Sequence, residues 1–361
     1  MFVFNCSHEM ALAANRCNYS PPRRIQQMER DLALLPLVWQ EEDDKLEVWG
    51  WNLTVREQLI KAGVPMSQMP TDEELALWRQ FSHRAFAVDY LHKFLLHSTI
   101  VPVVGHDMQF VRSVNENTLA DDNPVIVKIP FSSSGRGNFV GCLADQRFKE
   151  KVASMIEKND GVLVDSFYHK LLDFALEYEV KTDGTVVFLG YSVFEASSQG
   201  RYGGNVVDGQ QNLKARIHAT LGQDVASLAE IYRELLQQHL AGRYRGYVGI
   251  DMMVVEDEGK RKVHPCVEMN FRMNMGIAAI KLYEKLQLLS RLVAEGATYS
   301  ECVQNKKLGF LINVEETDFK RFHFEDLNHL LRSSMRLPLS PIRDCGFQAF
   351  LQSGLFSITF S

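Results

Sequence analysis

The residues best suited to chemistry lie in the segment GYVGIDMMVVEDEGKRKVHPCVEMNFRMN, residues 246–274. It reads as two apolar strands joined by a turn, with polar residues placed where a core would reject them. Asp251 sits in the first strand. Glu268, Asn270 and Arg272 follow in the second at intervals of two. Side chains alternate along a strand, so these three share one face while Val267, Met269 and Phe271 point the other way. At ~3.4 Å per residue the polar row covers roughly 14 Å. Carboxylate and amide oxygens are ligands for a hard cation, and a guanidinium grips phosphate through paired bonds. The row therefore suits Mg²⁺ bound to phosphates.

A second group lies upstream. VIVKIPFSSSGRGNFV, residues 125–140, puts Lys128 inside a strand and a Ser/Gly/Arg loop, 132–137, after it. The hydroxyls of Ser133 and Ser134, the flexible backbone at Gly135 and Gly137 and the Arg136 guanidinium can wrap phosphate oxygens. The loop matches neither GxxxxGK[ST] nor the dinucleotide fingerprint. Read alone it is an exposed surface loop beside an edge-strand lysine. Its place in the order of elements gives it meaning.

Those elements alternate. Phe2–Phe4 and Lys45–Trp51 read as short strands. Arg23 to about Leu35, Thr54–Ala62 and Phe86–Leu96 read as helices. Thr71 and Glu74 form a capping box that starts a helix near Asp72. This first third has too few strands for a full domain and is expected to pack against something later in the chain. Val125–Ile129 is a strand, about Asp145–Lys158 a helix, and Val162–Asp165 a strand. In Phe174–Lys181, Leu176, Tyr178 and Val180 oppose Ala175, Glu177 and Glu179; Asp183-Gly184 turns the chain into the return strand Thr185–Phe194. Ser197–Gly209 reads as a long loop. Ser227 and Glu230 read as a second capping box before another helix. After the polar strand pair the chain is helical to about Asn305, with strand-like pieces at Phe310–Val314 and Phe347–Phe360.

The ordered set resembles the ATP-grasp superfamily over roughly residues 80–280. It comprises strand Lys128, the 132–137 loop, a strand ending in Asp165-Ser166-Phe167, a hairpin, a Gly-rich loop, Asp251, then Glu268-x-Asn270-x-Arg272. The resemblance implies an α/β (α+β) fold with two subdomains gripping ATP, preceded by an N-terminal α/β lobe. The implied bounds are 1–98 for the lobe, 99–165 for the lid subdomain and 166–361 for the C-terminal subdomain with its extension. It implies ATP held by Lys128, Ser133, Ser134, Gly135, Arg136 and Gly137, with adenine at Asp165, Ser166 and Phe167. It also implies two Mg²⁺ ions, with Mn²⁺ an acceptable substitute, on Asp251, Glu268 and Asn270. Lys128 and Arg272 are the expected catalytic residues, Arg272 holding the transferring phosphoryl group or the carboxylate.

Several positions stay two-sided. Arg84, in Ser82-His83-Arg84, stands where the family usually has Lys; it reads as a phosphate or adenine ligand, or as a solvated arginine at a helix start. Asp173 reads as a ribose ligand or a strand-edge aspartate. His8 and Glu9 could line a substrate cleft, but ordinary loop residues are the better reading. Arg201 is a substrate contact or a solvated side chain. Trp39, Trp49, Trp51 and Trp78 read as core or lobe interface.

The implied reaction is the ATP-dependent joining of a carboxylate to an amine or thiol through an acyl phosphate. Two alternatives keep the fold: a kinase, and a nucleotide-binding protein without turnover. With 361 residues, 46% hydrophobic and 23% charged, the chain has the composition of an ordinary globular protein. A formal charge of −6 argues against a general nucleic-acid binder. The six cysteines form no CxxC pair, which suggests reduced thiols and a cytoplasmic setting. No apolar run reaches membrane-span length, and no secretory signal is legible at the N-terminus. The expected partners are small-molecule substrates. Oligomeric state is not fixed by the sequence; a homodimer is compatible with it.

Overall fold

In the computed structural model the described residues are 2–40, 46–97, 102–113, 123–132, 135, 137–196, 202–322, 324–342 and 345–360. The chain opens on a parallel pair, β1 (Phe2–Val3) and β2 (Glu47–Val48). Between them run α1 (His8–Ala14) and α2 (Arg23–Asp31). The helix expected to reach Leu35 stops at Asp31, and Pro36 lies within a separate 3₁₀ turn, Leu35–Val38. The strand expected over Lys45–Trp51 shrinks to β2, because Asn52 already caps α3 (Leu53–Lys61) by accepting from the Val55 amide. α4 (Asp72–Phe81) starts on the predicted capping box of Thr71 and Glu74, and α5 (Arg84–His97) follows.

A four-stranded antiparallel sheet comes next: β3 (Gln109–Val111), β4 (Val125–Lys128), β5 (Asn138–Gly141) and β6 (Val162–Ser166), in the order β3-β6-β4-β5. α6 (Gln146–Asn159), capped by the Asp145 carboxylate, buries Val152, Met155 and Ile156 against Val125, Val127 and Val164.

The remaining elements build an eight-stranded antiparallel sheet. They are β7 (His169–Val180), β8 (Val186–Ala196), β9 (Tyr202–Val206), α7 (Gln210–Leu221), α8 (Ala226–Leu240), β10 (Gly246–Asp257), β11 (Lys260–Asn270), α9 (Met275–Ala294), α10 (Tyr299–Gln304), α11 (Glu316–Arg321), α12 (Leu327–Arg332), β12 (Ser334–Leu337), β13 (Phe347–Gln352) and β14 (Leu355–Phe360). Among the described residues its strand order is β11-β10-β7-β8-β9-β14-β13-β12.

Alternation decides what covers each face. Phe174, Leu176 and Tyr178 of β7 and Val248, Ile250 and Met252 of β10 share one core with α5, α7 and α8. In that core Phe94 stacks on Tyr232 at 4.9 Å between ring centroids. This is the later partner expected for the first third of the chain. α9 and the C-terminal strands form a second core, with Ile277, Leu282, Leu351 and Phe356 alongside Trp39 and Trp49. Trp78 packs edge-on against Tyr244.

Three sequence expectations fail here. Part of the expected loop Ser197–Gly209 is β9, bonded between β8 and β14. A Cβ at Gly204 would lie 2.9 Å from the Phe356 carbonyl oxygen, so the glycine that suggested a loop instead permits close strand packing. Phe310–Val314 is no strand: residues Lys306–Leu311 form a 3₁₀ helix that buries Phe310. α8 does not start on Ser227 and Glu230, because the Asp224 carboxylate takes the Ala226 amide and Glu230 pairs with Arg233. Among the described residues no helix is long and apolar enough to cross a membrane.

Candidate functional site

Alternation places Glu268 and Asn270 as expected, but β11 ends at Asn270, so Arg272 lies just beyond the strand and is positioned by its own contacts. β10 and β11 run antiparallel with Asp251 opposite Glu268, and a bulge between Asp251 and Met253 disturbs the ladder beside them. The Asn270 amide donates to Asp251 Oδ2 at 3.1 Å, and Arg272 Nη2 donates to Asn270 Oδ1 at 3.0 Å. Arg272 Nε reaches the Glu9 carboxylate. An acid, an amide, a guanidinium and a second acid thus form one connected chain. Burial pushes the Asp251 carboxyl up to about 8, helped by the Glu268 and Glu177 charges. Burial alone would lower Arg272, but Glu9, Glu268 and Asp251 outweigh it and hold the guanidinium above its ordinary value.

Two cations meet this row, one from the four-stranded sheet and one from α5. Lys128, at the end of β4, donates from Nζ to the Val267 carbonyl at 3.2 Å. Its ammonium is buried, and that burial, with Arg84 nearby, lowers its pKa. Arg84 opens α5. Its Nη2 lies 2.8 Å from Glu268 Oε1, and its Nη1 donates to Ser132 Oγ at 2.8 Å and to the Ile129 carbonyl. Only 4% of Arg84 is exposed, which rules out the solvated helix-start reading. Its Nε has no hydrogen-bond partner among the described residues.

The other predicted positions divide. Gly135 and Gly137 take positive φ, and the Gly137 carbonyl accepts from the Ile129 amide at 3.2 Å. Ser133, Ser134, Arg136 and Arg201 lie outside the described residues. Asp165 is buried in β6, with Oδ2 2.9 Å from His264 Nε2 on β11 and Oδ1 accepting from the Ser166 amide at 2.9 Å. Its carboxylate thus ties the two sheets together. Phe167 just beyond it is exposed, and its amide is bonded to Pro124. Asp173 pairs with Lys170 on β7. It stands opposite Met253 while Ala175 stands opposite Asp251, so Asp173 shares the face of the polar row. Burial raises its carboxyl pKa against the pull of Lys170.

Two carboxylates take places that the sequence reading did not give them. Glu9 and His8 belong to α1 and are not loop residues. Glu9 is the partner of Arg272; His8 is buried against Asn52, and burial lowers its pKa to about 4. Glu177 lies on the polar-row face, across from Gly249. Ser192 Oγ donates to its Oε1 at 2.8 Å and Asn274 to its Oε2 at 2.7 Å. A Cβ at Gly276 would stand 2.1 Å from Oε1, so only glycine lets α9 settle over this acid. Alternation had placed Glu177 on the polar face, but burial of that face by α9 has no local signal.

Among the described residues no three His, Cys, Asp or Glu side chains group around one point. A cation here would rest on Asp251, Glu268 and the Asn270 amide oxygen, with water and phosphate oxygens completing its shell. That donor set fits Mg²⁺, which takes one or two carboxylates and otherwise prefers water and phosphate.

No family model and no curated protein matches the chain. Among solved structures it is similar to a biotin carboxylase–beta-gamma-ATP complex from Campylobacter jejuni, at 14% identity over 76% of this chain and 65% of that one, TM-score 0.45. It is also similar to N5-carboxyaminoimidazole synthetase from Staphylococcus aureus complexed with ADP, at 11% identity over 88% and 76%, TM-score 0.43. A third is D-alanyl-alanine synthetase A from Vibrio cholerae, at 12% identity over 87% and 98%, TM-score 0.40. Likeness of this degree decides neither activity nor substrate, which must be argued from the site.

Proposed function

We propose that this chain is an ATP- and Mg²⁺-dependent ligase of the ATP-grasp type, joining a small carboxylic acid to an amine or thiol. The observation that carries the reading is the meeting of Lys128 and Arg84 with the row Asp251, Glu268, Asn270 and Arg272. In this reading residues 99–165 are the lid over the nucleotide, 166–361 its base with the C-terminal extension, and 1–98 a lobe that brings Glu9 to Arg272. Lys128 and Arg84 bind the α- and β-phosphates of ATP. Asp251, Glu268 and Asn270 would hold Mg²⁺, which would supply positive charge against the triphosphate. Arg272, already ordered by Glu9 and Asn270, grips the transferring phosphoryl group or the acid.

The chemistry follows from what a carboxylate lacks. It is a poor electrophile, so an oxygen of the acid attacks the γ-phosphorus and ADP leaves. The amine then attacks the acyl carbon, phosphate leaves, and the amine proton passes to base. The protein's contribution is alignment and charge stabilisation, the larger part of catalysis in phosphoryl transfer.

The test uses the full chain with ATP, Mg²⁺ and pools of amino acids and small acids, the acids labelled with ¹⁸O in the carboxyl group. Release of ADP and of phosphate carrying ¹⁸O, only when acid and amine are both present, supports the ligase. A stable phosphorylated product formed without amine makes it a kinase. Nucleotide binding with no turnover under any pool sinks the enzymatic reading.

A further inference from the structure

We infer that the cavity between α2 and the β13–β14 hairpin binds an organic phosphate, separately from the site above. It is an open cleft of about 540 Å³ lined by Arg23, Arg24, Gln26, Gln27, Arg30 and Phe360, none of which belongs to the polar row or its partners. Its volume falls in the range of small-molecule sites, roughly 300–1,000 Å³.

Three arginines around one cleft stand out in a chain of net charge −6. All three are exposed, and among the described residues none has a carboxylate within ion-pair distance. Arg23, Gln27 and Arg30 fall on one face of the helix, with Arg24 and Gln26 at its margins. The helix carries two acids, and both are engaged away from the arginines: Glu29 accepts from the Ser7 amide at 3.0 Å, and the buried Asp31 accepts from the Phe347 amide at 2.9 Å and pins α2 to β13.

The cleft is built, not merely charged. The Arg24 guanidinium lies 4.8 Å from the Phe360 ring centroid and 5.7 Å from that of Phe347, and the two rings meet edge-on at 4.7 Å. Stacking of this kind orients the planar fork and lowers the entropy lost when it binds an oxyanion. The Gln26 amide is fixed as well, donating to Ser20 Oγ at 3.1 Å and to the Pro21 carbonyl at 2.7 Å. Phe360 is 47% exposed and gives the wall an apolar plate. Several guanidinium forks suit a phosphoryl group, which accepts paired bonds from more than one arginine. The aromatic plate suits a flat organic portion attached to it.

The probes are phenyl phosphate and inorganic phosphate, titrated calorimetrically into the full chain at two salt concentrations. Wild type should bind phenyl phosphate, more tightly than inorganic phosphate, and more weakly at higher salt. The variant R23Q/R24Q/R30Q, altered only at exposed positions, should lose this binding by at least about tenfold. The variant K128M should keep it, which separates this cleft from the polar row. A second triple variant, R147Q/K149Q/K158Q on α6, makes the same change in net charge elsewhere and should bind as wild type. Four results would each overturn the assignment: no binding by wild type in the low-millimolar range, no loss in the α2 variant, equal loss in the α6 variant, or inorganic phosphate binding as tightly as phenyl phosphate.

Discussion

Replacing Glu177 by Gln should make the protein more stable at alkaline pH and leave it unchanged at acid pH. Glu177 is 1% exposed, and burial raises its carboxyl from 4.5 to about 7, although the bonds from Asn274 and Ser192 pull the other way. A raised carboxyl pKa means that the native state holds a proton the unfolded chain has released. Between about pH 4.5 and pH 7 stability therefore falls as pH rises, and the contribution present below pH 4.5 is lost above pH 7. The gap of about 2.5 pH units, at 1.36 kcal/mol per unit, sets a ceiling of roughly 3 kcal/mol. Glutamine reproduces the protonated acid. Its oxygen accepts from Asn274 Nδ2 and its amide donates to Ser192 Oγ, whose hydroxyl turns to accept. Glu177→Gln should thus match wild type near pH 4 and exceed it by about 1–3 kcal/mol near pH 8. Urea unfolding at a series of pH values reads this directly. Asp251 titrates in the same window, so the difference between the two curves is the informative quantity. A difference that stays flat from pH 4 to 8, or a variant less stable at pH 8, would refute the argument.

Other expectations follow from single contacts. If the proposed function holds, Glu268→Gln should lower turnover about 100-fold or more, because it removes a charged oxygen from the proposed cation site; steady-state kinetics with Mg²⁺ titration checks it. Glu9→Gln should cost about 1–3 kcal/mol, since it weakens the charge-assisted bond that holds the buried Arg272, and chemical denaturation measures this. Phe94→Ala removes a ring stacked on Tyr232 in the main core and should cost about 3–5 kcal/mol by the same measurement. Ser227→Ala should change stability by less than about 0.5 kcal/mol, whereas Asp224→Ala should cost about 1 kcal/mol, because Asp224 takes the first free amide of α8.

The local sequence determined the parts of this protein that depend on near neighbours. Period-two alternation placed Glu268 and Asn270 on one face, and the Thr71/Glu74 pair marked the start of α4. Both are consequences of backbone geometry over a few residues, which no distant contact has to supply. Tertiary structure decided the rest. Nothing around Glu9 signals that a residue more than 260 positions later needs its charge, and nothing around Arg84 shows that it is buried against Glu268. Glu177 looks like any outward-facing strand acid until α9 covers it, and Gly204 looks like a loop residue until two strands close on it. Burial and long-range pairing arise when sheets and helices pack, and the same packing raises the carboxyl pKa values of Asp251 and Glu177 and lowers that of Lys128 by removing them from water.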